Sequence, residues 1–270
     1  MGRHLVIAAA QMGPIARTES RAAVVRRMID LMRQAKALGA EVVAYPEATL
    51  TAFFPHWFTE DEDEVDAWFE RDMPGPQTQA LFDEARRLGV GFHLGYCELD
   101  MSSGRKRRFN TSILVDASGW QAWGGVAGMI ICNDRRWPES YRVLGLQGVD
   151  MIFCGYNTPV HHPAAPDHDR LGQFHNELSM QSGAYQNSAW VIGIAKAGME
   201  EGVDMIAGSC IITPTGEIAA RCSSAEDEVI VSRCDLDLGR SYRETTFNFA
   251  RHRRTEHYQM IVERTGPTPP

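Results

Sequence analysis

Residues 126–139, V-A-G-M-I-I-C-N-D-R-R-W-P-E, contain the change of pattern that decides the fold. The first six residues are apolar, and a short apolar run of this kind predicts a strand that is buried on both faces. The run ends at Cys132, and the four residues that follow are polar or charged. Pro138 suits the first turn of a helix, and Glu139 suits the positive end of its dipole. The stretch therefore predicts a strand, a sharp turn and a helix.

This arrangement makes Cys132 a candidate nucleophile. The thiol follows a buried strand directly, and the carboxyl ends of strands are where open α/β sheets hold their ligands. Backbone N–H groups of the turn and the guanidinium groups of Arg135 and Arg136 would favour the thiolate, which is the reactive form. An inert buried Cys is the alternative. The charged residues beside Cys132 favour the functional interpretation.

Length and composition indicate an ordinary globular protein. The chain has 270 residues, 44% of them apolar and 23% charged, so it can form one large domain with a sizeable core. A net charge of −8 argues against nucleic-acid binding. The apolar run at residues 5–10 is too short for a signal peptide or a membrane span. The six Cys form no C-x-x-C pair, which is typical of a reduced cytoplasmic protein. We expect a cytoplasmic location and no membrane partner.

Helices alternate with strands early in the sequence, whereas later strands follow one another directly. This order predicts a mixed sheet with helices on its outer faces, in one domain. The predicted helices cover 19–38, 61–73, 77–88 and 171–186, together with the helix that begins near Pro138. The predicted strands cover 4–10, 42–45, 90–99, 109–115, 126–131, 150–156, 189–195, 205–213 and 229–236.

Two further positions follow predicted strands and carry candidate functional groups. Glu47 comes directly after the strand at 42–45, where a carboxylate suits a general base, although a solvated loop residue is the alternative. Asn157 and Thr158 follow the strand at 150–156 in the same way. For these two residues the sequence supports two interpretations equally: they line a pocket, or their role is purely structural.

Several long motifs, in the right order, resemble the nitrilase superfamily of carbon–nitrogen hydrolases over nearly the whole chain. Y-P-E at residues 45–47 resembles the glutamate motif of that family, and I-C-N-D-R-R-W-P-E at 131–139 resembles its cysteine motif. Other stretches are similar to one branch, the N-carbamoyl-D-amino-acid amidohydrolases. These stretches are F-F-P at 53–55, R-R-F-N-T-S at 107–112, G-Y-N-T-P at 155–159 and F-N-F at 247–249.

The resemblance implies a four-layer αββα sandwich, assembly into homo-oligomers (dimers or tetramers), and a Glu-Lys-Cys triad. It implies hydrolysis of N-carbamoyl-D-amino acids to the D-amino acid, carbon dioxide and ammonia, through a cysteine-bound intermediate and without a cofactor or metal. Cys132 is then the nucleophile and Glu47 the base. We expect the backbone N–H of Asn133 to hold the oxyanion.

The substrate would be a small molecule with a carboxylate. Arg135 or Arg136 suits that carboxylate because a guanidinium can bind it through two hydrogen bonds. An ion pair with Asp134 or Glu139 is the alternative for either arginine.

The sequence departs from the family at the lysine of the triad. Its three lysines, Lys36, Lys106 and Lys196, match no family position. In the family the lysine follows the turn that residues 116–119 match here. A block of a few dozen residues is missing around Gly119 and Trp120. We therefore expect a single carbon–nitrogen hydrolase domain over 1–270, with a family segment missing near 119–120.

Four alternatives remain open from the sequence. The first is another nitrilase-superfamily amidase or a ureidopropionase-like hydrolase. The second, which applies if the chain is complete, is an inactive, lysine-less binding protein. A papain-like enzyme would use His175 or His93 as its base. A metallohydrolase would use the loop that holds His161, His162, Asp167, His168 and Asp169. Prolines interrupt that loop, and its spacing fits no ligand pair on a helix face.

Overall fold

The computed structural model describes residues 2–116 and 124–267. The helices are α1 (Arg21–Ala37), α2 (Glu62–Asp66), α3 (Gln79–Leu88), α4 (Pro138–Leu146), α5 (Gly172–Asn187), α6 (Arg240–Glu244), α7 (Phe249–His252) and α8 (Gln259–Glu263). The strands are β1 (His4–Gln11), β2 (Val42–Ala44), β3 (Gly91–Asp100), β4 (Arg107–Val115), β5 (Ala127–Ile131), β6 (Met151–Tyr156), β7 (Trp190–Ala195), β8 (Ala197–Glu200), β9 (Val203–Ile206), β10 (Cys210–Ile212), β11 (Ile218–Arg221) and β12 (Glu228–Asp235).

The strands form two five-stranded sheets and a hairpin. The first sheet has the order β12-β1-β2-β3-β4, the second has the order β11-β10-β7-β6-β5, and β8 pairs with β9. In each sheet three neighbouring strands run parallel, and antiparallel strands complete it. Side chains of both sheets, including Ile7, Val42, Phe153 and Ile192, meet in one apolar core. The sheets therefore pack face to face.

Helices cover the outer face of each sheet. Met28 and Met32 of α1 and Leu81 of α3 pack with Phe92 of the first sheet. On the other side, Tyr141 of α4 and Met180 of α5 pack with the second sheet. The four layers are thus helix, sheet, sheet and helix, and the predicted αββα sandwich is confirmed. Within the described ranges no helix is long and apolar enough to cross a membrane.

The helix α1 shows why its sequence prediction succeeded. The side chain of Ser20 accepts a hydrogen bond from Ala23 N at the beginning of the helix, which satisfies a backbone donor that has no partner inside the helix. Apolar residues at helical spacing, from Val24 to Ala35, are buried against the sheet. Gly39 follows the end with a φ of +89°, a conformation that glycine adopts readily.

Two predicted elements are shorter than expected. The strand at 205–213 is in fact two strands, β9 and β10, because Ala207 and Gly208 take positive φ values of 53° and 70° and interrupt the extended chain. The helix at 61–73 shrinks to α2, which begins at the N-cap Asp61. The longer helix was predicted from the mixture of acidic and aromatic residues in this stretch, and that composition did not determine where the helix ends.

The strand β5 also differs from its prediction. It was expected to be buried on both faces, but it lies at the edge of the second sheet, and Met129 is 38% exposed. Of the strands that the structure describes, only β6 pairs with it. The predicted junction at Gly119 and Trp120 lies outside the described residues.

Candidate active site

Glu47 follows β2 in a narrow space between the two sheets. A Cβ atom at Gly95 of β3 would lie 2.6 Å from Pro46 O, and one at Gly155 of β6 would lie 2.6 Å from Glu47 N. Contacts this short are sterically forbidden, so both positions require glycine if the turn is to approach the strands this closely. The turn that carries Glu47 is therefore fixed from both sheets.

The Glu47 carboxyl group is buried and bonded on both oxygens. Asn110 Nδ2 of β4 donates to Oε1 at 2.6 Å, and the backbone N–H of Asn157 donates to Oε2 at 2.8 Å. Burial raises the pKa of Glu47, while hydrogen bonds from Asn110 and Cys132, the Asn157 N–H and the charge of Arg135 oppose that rise. A carboxyl group whose pKa lies above its ordinary value is suited to both accepting and returning a proton.

Cys132 lies in a tight turn at the carboxyl end of β5. A 3₁₀ helix begins at this residue and ends at Arg136, and Cys132 itself has a φ of +49°. Asp134 Oδ2 accepts a hydrogen bond from Ile131 N at 3.0 Å, which holds the turn closed. Cys132 Sγ lies 3.6 Å from the backbone oxygen of Asn157 and contacts the Glu47 carboxyl group. Two turns from different sheets thus bring a thiol and a carboxyl group together.

The electrostatic environment of Cys132 differs from the prediction. The guanidinium groups were expected to favour the thiolate, yet the pKa of Cys132 is raised to about 11. Burial is the main cause and the negative charge of Glu47 adds to it; the charge of Arg135 lowers the pKa but does not compensate. In these surroundings the thiol is protonated at neutral pH, so it needs a base to react.

Arg135 is committed to contacts inside the protein. Its side chain is 1% exposed and lies 4.2 Å from the ring centre of Tyr156. Nε donates to Asn176 Oδ1 at 2.7 Å, Nη1 to Cys132 O at 2.6 Å and Nη2 to Thr158 Oγ1 at 2.8 Å. All three nitrogens are engaged, which indicates that Arg135 supports the Cys132 turn.

Arg136 has a different environment although it is the next residue. It is exposed, and its one hydrogen bond to the described residues is a long contact of 3.4 Å from Nη1 to Asn133 Oδ1. Asp134 instead caps the turn. No carboxylate in the part of the chain that the structure describes pairs with Arg136, so the expected ion-pair alternative is not observed there. Although the residue is exposed by its surface area, neighbouring protein atoms partly desolvate the guanidinium group, and this desolvation together with the charge of Arg135 lowers the pKa of Arg136.

Asn157 and Thr158 both belong to this site. Asn157 Nδ2 donates to the backbone oxygen of Glu47 at 2.8 Å, while its Oδ1 is buried and has no partner among the described residues. An unpaired buried acceptor is costly in free energy, and such an atom is suited to receive a donor from a ligand. Thr158 binds Arg135 and lines a cavity of about 370 Å³ together with Arg136.

Two residues of the site were missed in the sequence. Asn110 lies in the R-R-F-N-T-S stretch, but strand periodicity gave no reason to prefer it over its neighbours as a partner of Glu47. Asn176 looks like an ordinary helix residue, although it is buried and binds both Arg135 and Tyr156. A polar residue on the buried face of α5 was the available signal.

The other predicted catalytic groups lie apart from the Cys132 thiol. His93 is buried, with Nδ1 bonded to Tyr45 O and Nε2 bonded to Ser112 Oγ, and burial lowers its pKa to about 4. His175 lines the cavity beside Arg136. The described residues bring no three His, Cys, Asp or Glu side chains together as metal ligands.

The three lysines also have other partners or positions. Lys36 is exposed in the last turn of α1. Lys106 binds Glu62 and Asp66, and Lys196 is buried against Glu200.

Comparison with known proteins identifies the family of this chain. The carbon–nitrogen hydrolase family matches residues 6–121 and 120–244 in two stretches. A nitrilase from Pyrococcus abyssi is 27% identical over 84% of this chain and 90% of its own length. An N-carbamoylputrescine amidase from Solanum lycopersicum is 24% identical over 88% and 89%.

The fold is shared with solved structures of the same family. A carbon–nitrogen hydrolase from Helicobacter pylori has a TM-score of 0.81 at 16% identity, with 97% of this chain and 99% of that chain covered. At this identity the likeness shows the fold alone, whereas the family match extends over most of the sequence. The chain belongs to the carbon–nitrogen hydrolase family, the nitrilase superfamily, and hydrolysis of a carbon–nitrogen bond is the activity that this membership supports.

Proposed function

We propose that the protein hydrolyses N-carbamoyl-D-amino acids to the D-amino acid, carbon dioxide and ammonia. The observation that carries the proposal is that Asn157 joins the Glu47 carboxyl group to the Cys132 thiol: its N–H donates to Glu47 Oε2 at 2.8 Å, and its backbone oxygen lies 3.6 Å from Cys132 Sγ. Next to them, Arg136 has no carboxylate partner among the described residues. The first feature suits attack on a carbonyl carbon, and the second suits an acidic substrate. The D preference rests on the motifs that resemble the N-carbamoyl-D-amino-acid branch.

The reaction follows from these positions. Glu47 takes the thiol proton as Cys132 Sγ attacks the carbamoyl carbon, and the N–H of Asn133 stabilises the oxyanion. Glu47 then returns the proton to the amino-acid nitrogen as the carbon–nitrogen bond breaks, which leaves a carbamoyl group on sulfur. Water, activated by Glu47, displaces the sulfur, and the released carbamate decomposes to carbon dioxide and ammonia. Asn157 Oδ1 accepts a hydrogen bond from the carbamoyl NH₂ group throughout.

Arg136, rather than Arg135, binds the substrate carboxylate. Arg135 is only 1% exposed, and each of its three nitrogens already donates inside the protein, to Asn176, Cys132 O and Thr158. Arg136 can turn its guanidinium group toward an anion at the cost of one long contact. A charge-assisted hydrogen bond of this kind contributes about 1.5–3 kcal/mol.

A matched pair of substrates tests this assignment. Ammonia release is measured for N-carbamoyl-D-glutamine and for the corresponding α-carboxamide, with the protein and with Arg136→Met. We expect the KM for the acid to rise at least about tenfold in the variant, since about 1.4 kcal/mol is a factor of ten. The carboxamide should be nearly unaffected. Equal losses on both substrates would assign Arg136 a structural role.

The main alternative is another amidase or ureidopropionase-like hydrolase of the same superfamily. N-carbamoylputrescine, the substrate named for the Solanum lycopersicum relative, has no α-carboxylate and carries an ammonium group at the far end of its chain. A guanidinium group repels a cation, so Arg136 disfavours this substrate. Faster ammonia release from N-carbamoylputrescine than from any N-carbamoyl amino acid would replace our proposal with this alternative.

We further propose that the working polypeptide carries the lysine of the triad in a segment between Gly119 and Trp120. The family match divides at residues 120–121, and β4 and β5, the strands on either side, each lie at the edge of a sheet. A cation near Cys132 and Glu47 would also lower both raised pKa values. Intact mass spectrometry tests the proposal: a mass equal to these 270 residues, with a continuous Gly119–Trp120 peptide, would indicate a lysine-less binding protein.

We also propose that the protein is a homo-oligomer, a dimer or a tetramer. Apolar side chains on the helices over the second sheet are strongly exposed, including Val143 and Leu146 of α4 and Phe174 and Leu178 of α5. Exposed apolar surface of this kind is typical of protein interfaces. Light scattering at micromolar concentration should give a mass of two or four chains, and a monomer would contradict the proposal.

A further inference from the structure

A cavity next to the candidate active site has a distinctive set of side chains. It measures about 370 Å³ and begins at Thr158, the residue after Asn157, whose backbone oxygen lies 3.6 Å from Cys132 Sγ. We call it the histidine cavity, because its lining includes His162, His168 and His175 together with Arg136. Its volume lies in the range of small-molecule sites.

The charges that line the histidine cavity are unbalanced. Two guanidinium groups, those of Arg135 and Arg136, border it, and Asp169 is the one carboxylate among the described lining residues. That carboxylate is already used, since Oδ2 binds His161 Nδ1 at 2.7 Å and Oδ1 accepts from His162 N at 2.9 Å. A neighbouring cavity shares Arg135, Arg136 and His175, and no carboxylate is among the described residues that line it.

The three imidazoles of the histidine cavity come from two different segments of the chain, the loop before α5 and α5 itself. The ring centres of His162 and His168 are 6.5 Å apart and tilted by 49°, while His175 projects from α5 on another side of the cavity. An imidazole donates a hydrogen bond in its neutral form, and it adds a positive charge when it is protonated. A second anionic group within this cavity would therefore meet donors from the loop and from the helix.

We propose that the histidine cavity binds a carboxylate on the side chain of the substrate, which makes the preferred substrates N-carbamoyl derivatives of acidic amino acids. The inference rests on the proposed function, in which Arg136 binds the α-carboxylate. The side chain of such a substrate then extends past Thr158 toward His168 and His175. A neutral side chain of the same size fills the same space but offers the imidazole donors of His168 and His175 no anionic acceptor.

Calorimetric titration of a Cys132→Ala variant tests the proposal without turnover. N-carbamoyl-D-glutamate and N-carbamoyl-D-glutamine have nearly the same size, and only the first has a side-chain carboxylate. We expect the acid to bind at least about tenfold more tightly. Adding His168→Gln or His175→Gln should reduce that ratio severalfold, because the substitution weakens the binding of the acid more than that of N-carbamoyl-D-glutamine. His257→Gln, at an exposed position outside the cavity, is the matched control.

Each result of the titration has a distinct meaning. Equal affinities for the two ligands overturn the inference but leave the proposed function standing, because an N-carbamoyl amino acid still binds. Binding of neither ligand, by a variant with native circular dichroism, overturns both proposals. An acid preference that survives both histidine substitutions shows that the selecting charge lies elsewhere, and this result also overturns the inference.

Discussion

The turn that carries Glu47 and the turn that carries Cys132 have the same design but different support. Each follows a parallel strand at its carboxyl end, and each contains a residue with a positive φ, 42° at Ala48 and 49° at Cys132. However, β2 lies in the centre of its sheet, whereas β5 lies at an edge. The first turn is held by strands on both sides, and the second depends mainly on Arg135 and Asp134.

This difference indicates which half of the site is complete. Glu47 has hydrogen-bond partners from β4 and from the residue after β6, so its position does not require any further segment. The pKa of Cys132 is raised, and β5, which precedes it, pairs only with β6 among the strands that the structure describes. We therefore expect the proposed lysine segment to act on the Cys132 side, where both a strand neighbour and a cation would have an effect.

The largest expected effect comes from Cys132→Ser. If the Cys132 turn carries the nucleophile, the substitution should reduce kcat/KM by a factor of about 10³ or more, because serine is a far weaker nucleophile without a strong base. The measurement is ammonia release, with circular dichroism to confirm folding. Cys97→Ser serves as the control and should retain activity. Labelling by a thiol reagent that inactivates through Cys97 or Cys154 would contradict the assignment.

The rate of Cys132 alkylation should change with pH by a factor similar to the loss of kcat/KM in Cys132→Ser. A thiol with a pKa of about 11 has a thiolate fraction that rises about tenfold for each pH unit below that value. Modification of Cys132 by iodoacetamide should therefore accelerate about 10³-fold between pH 7 and pH 10. Peptide mapping at each pH assigns the rate to Cys132. A rate that reaches its plateau near pH 7 would show that a cation already stabilises the thiolate.

Lys196→Met tests the support on the Glu47 side. Lys196 is completely buried with Glu200, at 3.0 Å from Nζ to Oε2, and it also binds Thr51 O. Removal of one partner leaves a buried charge unpaired, so the free energy of unfolding should fall by about 3–5 kcal/mol in urea denaturation. Lys106→Met, which removes a more exposed lysine paired with Glu62 and Asp66, should cost much less, because water and salt screen an exposed ion pair. Similar losses in the two variants would contradict this account.

The smallest expected effect is the difference in the free energy of unfolding between variants of the two neighbouring arginines. Arg135→Lys keeps the charge but loses most of a three-way hydrogen-bond network, so we expect a loss of about 2–3 kcal/mol in the free energy of unfolding. Arg136→Lys should change that free energy by less than about 0.5 kcal/mol. Denaturant titration of both variants gives the comparison directly. An equal loss would mean that Arg136 also supports the turn.

The sequence by itself determined the class of fold and the pair of catalytic turns. Apolar spacing defined α1, short apolar runs defined β2, β5 and β6, and polar residues directly after them marked Glu47, Cys132 and Asn157. These signals are local: the period of an element and the residue that ends it depend on a few neighbours in the chain.

Only the tertiary structure decided the burial, the hydrogen bonding and the pKa values of these residues. Arg135 and Arg136 are identical in sequence terms, but one guanidinium group is buried by Tyr156 and Asn176 while the other remains exposed. The pKa of Cys132 depends on burial and on Glu47, which lies 85 positions earlier in the sequence. The break at Ala207 and the edge position of β5 likewise depend on distant strands. Burial, desolvation and hydrogen bonding are properties of packed surfaces, and packing joins residues whose order in the chain does not predict their contact.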